Sequence, residues 1–322
     1  MGEFKLDFCG IGVGKAGSSW IARCLGEHPA VCMPRFKETN FFLRKSISAS
    51  SHLPALRQRE LSHYDEGFEW YEERFSHREP GQLCGEFSPL YFADPECAGL
   101  LYAHNPRMKL LCCFRNPADV AYSGYFELSL THPLPGTFEA FMDEYPQLLA
   151  YGRYYDNLQP FLKQFPRESI HLMLFDDIVA DPVAAYRGLC RFLEIDSSFV
   201  PASVSQRVNP RTVLRSRTLR NLRCAIRDLI ASTAVTRKAR QSLVRLGVDR
   251  IAMKLFRLNE RPGTVPPLAP ETRRRLVEVF KGDVEALGEL LNRDLSHWNE
   301  GAGDASAPSK SGPSAVEERS LS

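Results

Sequence analysis

The chain has 322 residues, a formal net charge of +2 and 43% hydrophobic residues, which suits one or two globular domains with a full core. It contains no apolar run near the roughly eighteen residues that span a bilayer and no basic, then apolar leader, so we expect a cytoplasmic protein without a transmembrane segment. Its nine cysteines and eight histidines show no metal-ligand spacing, which predicts reduced core cysteines and no metal site.

The first notable segment is a glycine loop between a predicted strand at residues 5–13 and a predicted helix at residues 18–27. Ser18 or Ser19 begins this helix, whose free N–H groups and positive dipole end attract anions. Lys15 adds a positive charge within the loop. The segment therefore predicts a phosphate-binding site.

A Walker A loop is the first known motif to test here. Gly14 and Lys15 fit its Gly-Lys pair, but Cys9 occupies the first glycine position and Ala16 the position of the magnesium-binding hydroxyl. The sequence therefore disfavours ATP with magnesium.

The dinucleotide fingerprint GxGxxG is the second motif, and it matches at Gly12, Gly14 and Gly17. Glu38 follows about twenty residues later, where a ribose-binding acid is expected. A lysine inside the loop is unusual for this fingerprint, so the match alone is weak evidence.

Two further strands are predicted at residues 30–33 and 83–86, with a helix at residues 94–104. The intervening residues 43–80 are rich in Ser, His, Arg and Glu, which indicates an insertion or lid, or simply surface helices.

A second basic turn follows the predicted strand at residues 108–114. Arg115 ends this strand, Asn116 is a good helix cap, and Pro117 suits the first turn of a helix. Ser123 lies two turns into that helix. Two strand-to-helix anion sites in one domain indicate a ligand with phosphates at both ends.

The alternation of strands and helices predicts an α/β fold, a three-layer sandwich with a central, mostly parallel sheet flanked by helices. The remaining elements of this pattern are two helices at residues 117–130 and 151–164 and a strand at residues 169–175. Both anion sites fall at the carboxyl ends of strands, where open parallel sheets bind ligands.

The C-terminal part is basic. Residues 207–261 hold fifteen Arg or Lys and three Asp or Glu, and an amphipathic helix begins near Thr218. A long helix at residues 271–291 follows. We predict a core domain at 1–200, a basic helical part of the same domain at 201–298, and a disordered tail at 299–322.

Four segments together resemble a known family, the sulfotransferases that use 3'-phosphoadenosine 5'-phosphosulfate (PAPS). The similarity is greatest to the heparan-sulfate-type branch and its bacterial relatives, which implies a P-loop-like sandwich. The matching segments are KAGSSW at Lys15–Trp20, FKETNFF at Phe36–Phe42, GEFSPLYF at Gly85–Phe92 and RNPADVAYS at Arg115–Ser123.

This resemblance implies PAPS as donor and gives each motif a role. Glu38 would be the catalytic base, Lys15 would neutralise the bridging oxygen, and Lys37 would orient the acceptor or assist the leaving group. Arg115 and Ser123 would hold the 3'-phosphate. The residues implied at the 5'-phosphosulfate and the adenine are Lys15, Ala16, Gly17, Ser18, Ser19 and Trp20.

The reaction implied is in-line sulfuryl transfer to a hydroxyl, less readily an amine, of a carbohydrate or small molecule, either free or bound to a carrier. We expect no nucleic-acid partner. His104 and His132 are alternative bases, and Arg211, Arg215 and Arg217 are candidates to close on the 3'-phosphate. Two other functions stay open: a dinucleotide oxidoreductase or nucleotide kinase using the glycine loop, and a non-catalytic binder of acidic polymers using residues 207–261.

Overall fold

A five-stranded parallel sheet forms the centre of the protein. The computed structural model describes residues 4–43, 63–206, 212–216, 218–221, 224, 259–263 and 265–299. The sheet has the strand order β2-β3-β1-β4-β5, and every neighbouring pair is parallel. Its strands are β1 (Phe8–Gly12), β2 (Val31–Cys32), β3 (Leu83–Phe87), β4 (Lys109–Phe114) and β5 (Ile170–Leu174).

Helices connect these strands, as expected for parallel crossovers, and three more helices among the described residues follow the last strand of the sheet. They are α1 (Ser18–Gly26), α2 (Phe68–Glu73), α3 (Pro95–His104), α4 (Pro117–Thr131), α5 (Phe138–Glu144), α6 (Tyr154–Gln164), α7 (Phe175–Ala180), α8 (Pro182–Leu193) and α9 (Pro270–Leu291). Two short strands, β6 (Thr212–Leu214) and β7 (Glu260–Pro262), form an antiparallel pair. All the strands and helices predicted within the described residues are confirmed, with shifts of up to three residues at their ends.

Helices cover both faces of the sheet, which confirms the three-layer α/β sandwich. Side chains alternate between the two faces along each strand, so β1 places Phe8 in one core and Cys9 and Ile11 in the other. Helices α1 and α8 pack against the Phe8 face. Helices α3, α6 and α9 pack against the Ile11 face. Both faces are therefore buried, as expected for a parallel sheet.

Strands β1 and β4 are neighbours whose outgoing connections run to opposite sides. The chain leaves β1 towards β2 and β3, and it leaves β4 towards β5 at the other edge. Helix α1 lies on the Phe8 face, and helix α4 lies on the Ile11 face through Ala118 and Val120. Open α/β sheets bind ligands in the crevice that such a switch creates at the carboxyl ends of the strands.

The C-terminal residues dock at this same carboxyl edge. The indole N–H of Trp298 donates to Asp176 at 2.8 Å, and the Trp298 carbonyl accepts from the side chain of Asn116 at 2.9 Å. Arg293 pairs with Asp177 at 2.9 Å. The long helix α9 and the turn after it therefore hold together the chain segments that follow β4 and β5.

Some predictions concern segments only partly described. In the described part of residues 43–80, Tyr71 and Phe75 are buried in the core on the Ile11 face of the sheet. Residues 44–62, Arg211, Arg217 and residues 300–322 lie outside the described residues, as does most of the predicted basic helix after Thr218. The predicted domain boundaries and the disordered tail stay predictions.

The nine cysteines are all buried and unbridged, which confirms the prediction of reduced core thiols. Burial raises the pKa of the Cys24 thiol to about 11, so that the thiol stays protonated near neutral pH. Among the helices that the structure describes, none is long and apolar enough to cross a membrane.

Candidate functional site

The β1–α1 loop, residues 13–17, ends in a backbone geometry that only glycine adopts easily. Gly17 has φ of 93°, and its carbonyl accepts the N–H of Trp20 at 2.9 Å and of Ile21 at 3.0 Å. Helix α1 begins at Ser18, so the first N–H groups of the helix face the loop rather than a preceding turn. This geometry suits an anion, as the sequence predicts.

The glycines of this loop serve different purposes. A side chain at Gly12 would lie 2.8 Å from Phe92, so Gly12 is required by core packing. A side chain at Gly14 would meet nothing closer than Pro89 at 3.9 Å. The GxGxxG match therefore arises partly from core packing and gives little support to dinucleotide binding.

Lys15 stands at the mouth of the loop with φ of 66°. Its ammonium pairs with the Glu127 carboxylate on α4 at 2.6 Å. Its carbonyl accepts from the Arg115 guanidinium at 3.3 Å. The two predicted anion-binding residues, Lys15 and Arg115, are therefore brought together at the switch between β1 and β4.

Arg115 is held from several directions. Its guanidinium carbon lies 5.0 Å from the centre of the Phe175 ring, and Asp119 lies 3.7 Å from Nη2. The Arg273 guanidinium pairs with the other carboxylate oxygen of Asp119 at 2.7 Å. The Tyr154 hydroxyl donates to the Arg115 carbonyl at 2.9 Å. Because backbone and side chain are both fixed, Arg115 presents a positive charge with little freedom to move.

Ser123 lies on the α4 face that looks towards these cations. Asp119, Ser123 and Glu127 are spaced four residues apart, so they share one helix face. Asp119 contacts Arg115 and Glu127 contacts Lys15. Ser123 therefore occupies the intervening position on that face. Asn116 caps α4 by accepting the Ala118 N–H, which confirms the predicted cap.

The 37–43 loop meets the β1–α1 loop through Lys37. The Lys37 ammonium donates to Ser18 Oγ at 3.2 Å, to Ser19 Oγ at 3.0 Å and to Glu38 Oε1 at 2.9 Å. Glu38 has φ of 65°, a strained conformation for a glutamate, and its side chain is 44% exposed. The sequence motifs at 15–20 and 36–42 thus form one hydrogen-bonded cluster.

Trp20 has the contacts of a core residue. It is 7% exposed, packs in the core on the Phe8 face, and donates its indole N–H to the Val204 carbonyl at 2.9 Å. These contacts give the indole the environment of a core residue, and the stacking on adenine stays a prediction. Ala16 is fully buried in the other core.

A buried carboxylate, Glu86 on β3, is the main feature that the motif analysis missed. It is 0% exposed, and it accepts hydrogen bonds from four hydroxyls. Burial raises the pKa of Glu86, and the four hydrogen bonds counteract this shift. The available signal was a single acid within the otherwise apolar strand LCGEF.

The two histidines considered as alternative bases lie elsewhere. His104 Nε2 accepts the N–H of Leu6, just before the amino end of β1, at 3.0 Å. His132 is 3% exposed after the end of α4. Their positions favour Glu38 over either histidine. Within the described ranges, no three His, Cys, Asp or Glu residues cluster in a way that could hold a metal ion.

Comparison with known proteins gives a consistent result. A family model described as "Sulfotransferase domain" matches residues 7–241. Human heparan sulfate glucosamine 3-O-sulfotransferase 5 is 26% identical over 210 residues, which cover 61% of this chain and 54% of that protein. Human heparan sulfate glucosamine 3-O-sulfotransferase 6 is 28% identical over 192 residues, covering 57% and 50% respectively. The chain thus spans about half the length of the curated relatives it matches.

A solved structure supports the fold. The crystal structure of a sulfotransferase from Alicyclobacillus acidocaldarius superposes with a TM-score of 0.64 at 24% identity, covering 92% of this chain and all of that one. The parallel sheet with its β1–α1 loop at the switch point defines an α/β protein of the P-loop-like class. Since the family model covers most of its length, the chain belongs to the sulfotransferase family, a family of transferases.

Proposed function

We propose that this protein transfers the sulfuryl group of PAPS to a hydroxyl of a carbohydrate acceptor. The observation that carries the proposal is the position of Lys37. Its ammonium contacts both serine hydroxyls at the start of α1 and the carboxylate of Glu38. A single side chain, that of Lys37, therefore connects the proposed PAPS-binding segment with the candidate base.

The residues at the switch point suit a donor with negative charge at both ends. Ser18, Ser19 and the first N–H groups of α1 would hold the 5'-phosphosulfate, together with Lys15. Arg115 and Ser123 would hold the 3'-phosphate. Each preorganised donor of this kind is worth roughly 3 to 4 kcal/mol where it has been removed from other enzymes.

The transfer step needs a base and a charge partner. Glu38 removes the proton of the acceptor hydroxyl while the acceptor oxygen bonds to sulfur and the bond from sulfur to the phosphate oxygen breaks. Lys15 neutralises the negative charge that the departing phosphate oxygen gains. Lys37, already hydrogen-bonded to Glu38, keeps that carboxylate directed towards the α1 serines.

Lys15 must change partner for this role, because its ammonium now pairs with Glu127. Both side chains are partly exposed, 27% and 61%, so this pair contributes little stability and exchanges readily. Glu127 would thus compete with the donor for Lys15.

The proposed acceptor class is supported by the relatives, which are named for a heparan sulfate glucosamine. The proposal is O-sulfation of a sugar. An amine or a carrier-bound small molecule is a less favoured acceptor. Oxidoreductase or kinase activity loses its support because the chain belongs to the sulfotransferase family.

A transfer assay tests the proposal. Purified protein is given labelled PAPS with panels of sugars, phenols, lipids and carrier-bound alcohols, and Glu38→Gln serves as the matched variant. We expect transfer to a sugar hydroxyl and a loss of about 100-fold to 10,000-fold in Glu38→Gln. Equal rates for the two proteins would refute the assignment of the base.

A further inference from the structure

The carboxylate of Glu86 is the end point of a completely buried hydrogen-bond network. Thr39 Oγ1 and Ser88 Oγ donate to one of its oxygens, the latter at 3.1 Å. The hydroxyls of Tyr71 and Tyr91 donate to the other, at 3.0 Å and 2.8 Å. All five side chains are fully buried, so this network has no contact with solvent.

Three of these hydroxyls also hold the backbone of the 37–43 loop. Three consecutive N–H groups of that loop donate to them: Asn40 to Ser88 Oγ at 3.1 Å, Phe41 to Thr39 Oγ1 at 3.4 Å, and Phe42 to the Tyr91 hydroxyl at 3.1 Å. Each of these three loop N–H groups is therefore linked to Glu86 through one intervening hydroxyl.

The direction of these hydrogen bonds depends on Glu86 being a carboxylate. A hydroxyl has one hydrogen, and here each hydroxyl gives that hydrogen to Glu86. Its oxygen is then left to accept a loop N–H. An ionised carboxylate only accepts, so it suits four donors at once. A glutamine at this position would bring its own N–H groups against hydroxyls that already donate.

The loop needs such support because its backbone is strained. Glu38 and Asn40 both have positive φ, 65° and 50°, a backbone conformation that residues with side chains adopt at an energetic cost. Strain of this kind persists only where surrounding contacts fix the backbone. The three N–H groups begin two residues after Glu38, so they fix the segment that carries it.

We infer that Glu86 is a positioning residue for Glu38: the buried Glu86 network holds the strained 37–43 loop so that the Glu38 carboxylate faces the serines of α1. This inference rests on the proposed role of Glu38 as base. Glu86 itself touches neither donor nor acceptor, because it is completely buried.

The test compares Glu86→Gln with Asp7→Asn. Asp7 is a matched control because its carboxylate also supports β3, accepting the Cys84 N–H at 2.7 Å. This contact lies at the amino ends of the strands, away from the candidate site. We expect Glu86→Gln to lower kcat by about 100-fold, as expected for a small misplacement of a catalytic group, with unchanged affinity for adenosine 3',5'-bisphosphate. Asp7→Asn should keep the wild-type kcat. A folded Glu86→Gln protein with wild-type kcat would overturn the inference.

Two tyrosine variants keep the inference testable if Glu86→Gln does not fold. Tyr91→Phe removes a donor to Glu86 and the acceptor of the Phe42 N–H, whereas Tyr71→Phe removes only a donor to Glu86. We expect a larger fall in kcat for Tyr91→Phe than for Tyr71→Phe. Wild-type kcat in both variants would contradict the inference.

Amide hydrogen exchange separates this inference from the proposed function, since it needs no turnover. In whichever of these variants fold, Glu86→Gln or Tyr91→Phe, the amides of residues 40–42 should exchange about tenfold faster or more, while residues 18–21 keep their protection. Unchanged protection of residues 40–42 would overturn the inference. Failure of wild-type protein to bind the bisphosphate or transfer sulfate would instead refute the proposed function.

Discussion

The two halves of the candidate site lie at one edge of the sheet but are built differently. The β1–α1 loop and the turn at Arg115 are local: each follows a strand, begins a helix, and presents the N–H groups or charge within a few residues. The 37–43 loop includes no helix or strand in the structure, and the side chains of Ser88 and Tyr91, which follow β3, hold its backbone.

This difference has a consequence for function. The anion-binding half depends on backbone geometry at the starts of helices. Few substitutions at those positions would keep this geometry. The half that carries Glu38 depends on hydrogen bonds from its backbone N–H groups, mostly to residues distant in the sequence. Substitution of those residues can therefore damage this half without changing the donor site. Donor binding and turnover should therefore respond separately to substitution.

Lys37 contacts both halves, so its substitution should have a large effect. Lys37→Ala removes the donor to Ser18, Ser19 and Glu38, and we expect kcat to fall by about 100-fold. Steady-state kinetics with labelled PAPS measures this. Lys109→Ala is the control, because Lys109 pairs with Glu194 at the start of β4, away from the site. Equal losses in both variants would show that the effect is not specific to the site.

Gly17 tests the anion-binding half alone. Gly17→Ala forces φ of 93° on a residue with a side chain, and the new Cβ would lie 3.2 Å from Phe175 and 3.3 Å from Ile178. We expect affinity for adenosine 3',5'-bisphosphate to fall roughly tenfold, about 1.4 kcal/mol, by calorimetry.

The control for this change is Gly81→Ala. Gly81 has a similar φ of 85°, and nothing lies within 4 Å of the added Cβ. This variant should lose stability through the same backbone strain but bind the bisphosphate normally. If both variants lose affinity equally, the effect of Gly17→Ala reflects general destabilisation instead.

Glu127 gives the smallest expected effect, and in the opposite direction. Glu127→Gln frees Lys15 from its ion pair, so affinity for the bisphosphate should rise, by up to about fivefold, since exposed ion pairs are worth about 0–1 kcal/mol. Glu194→Gln, which breaks the Lys109 pair, should leave it unchanged. A fall in affinity would mean that Glu127 supports the donor site.

Much of the fold was predictable from the sequence because parallel strands buried on both faces are continuous apolar runs, such as the one ending at Phe114. The anion-binding half was predictable too, since Lys15 and Arg115 follow such runs directly. The sequence analysis also assigned both residues to one ligand, but the strand order that makes β1 and β4 neighbours is seen only in the structure.

The Glu86 network was beyond local patterns. Glu86, Ser88 and Tyr91 lie in one motif and Thr39 in another, but no sequence motif shows that these two segments and Tyr71 pack together. Trp20 belongs to a sequence motif that implied a ligand contact, and it also lies on the side of α1 that faces the core.

Calorimetric titration of adenosine 3',5'-bisphosphate into four proteins tests the separation of the two halves most directly. The four proteins are wild type, Lys15→Ala, Arg115→Ala and Glu38→Gln. We predict that wild type and Glu38→Gln bind with the same affinity, while the Lys15 and Arg115 variants lose about 100-fold or more. Normal affinity in both of those variants would contradict the assignment of the donor site to the switch between β1 and β4.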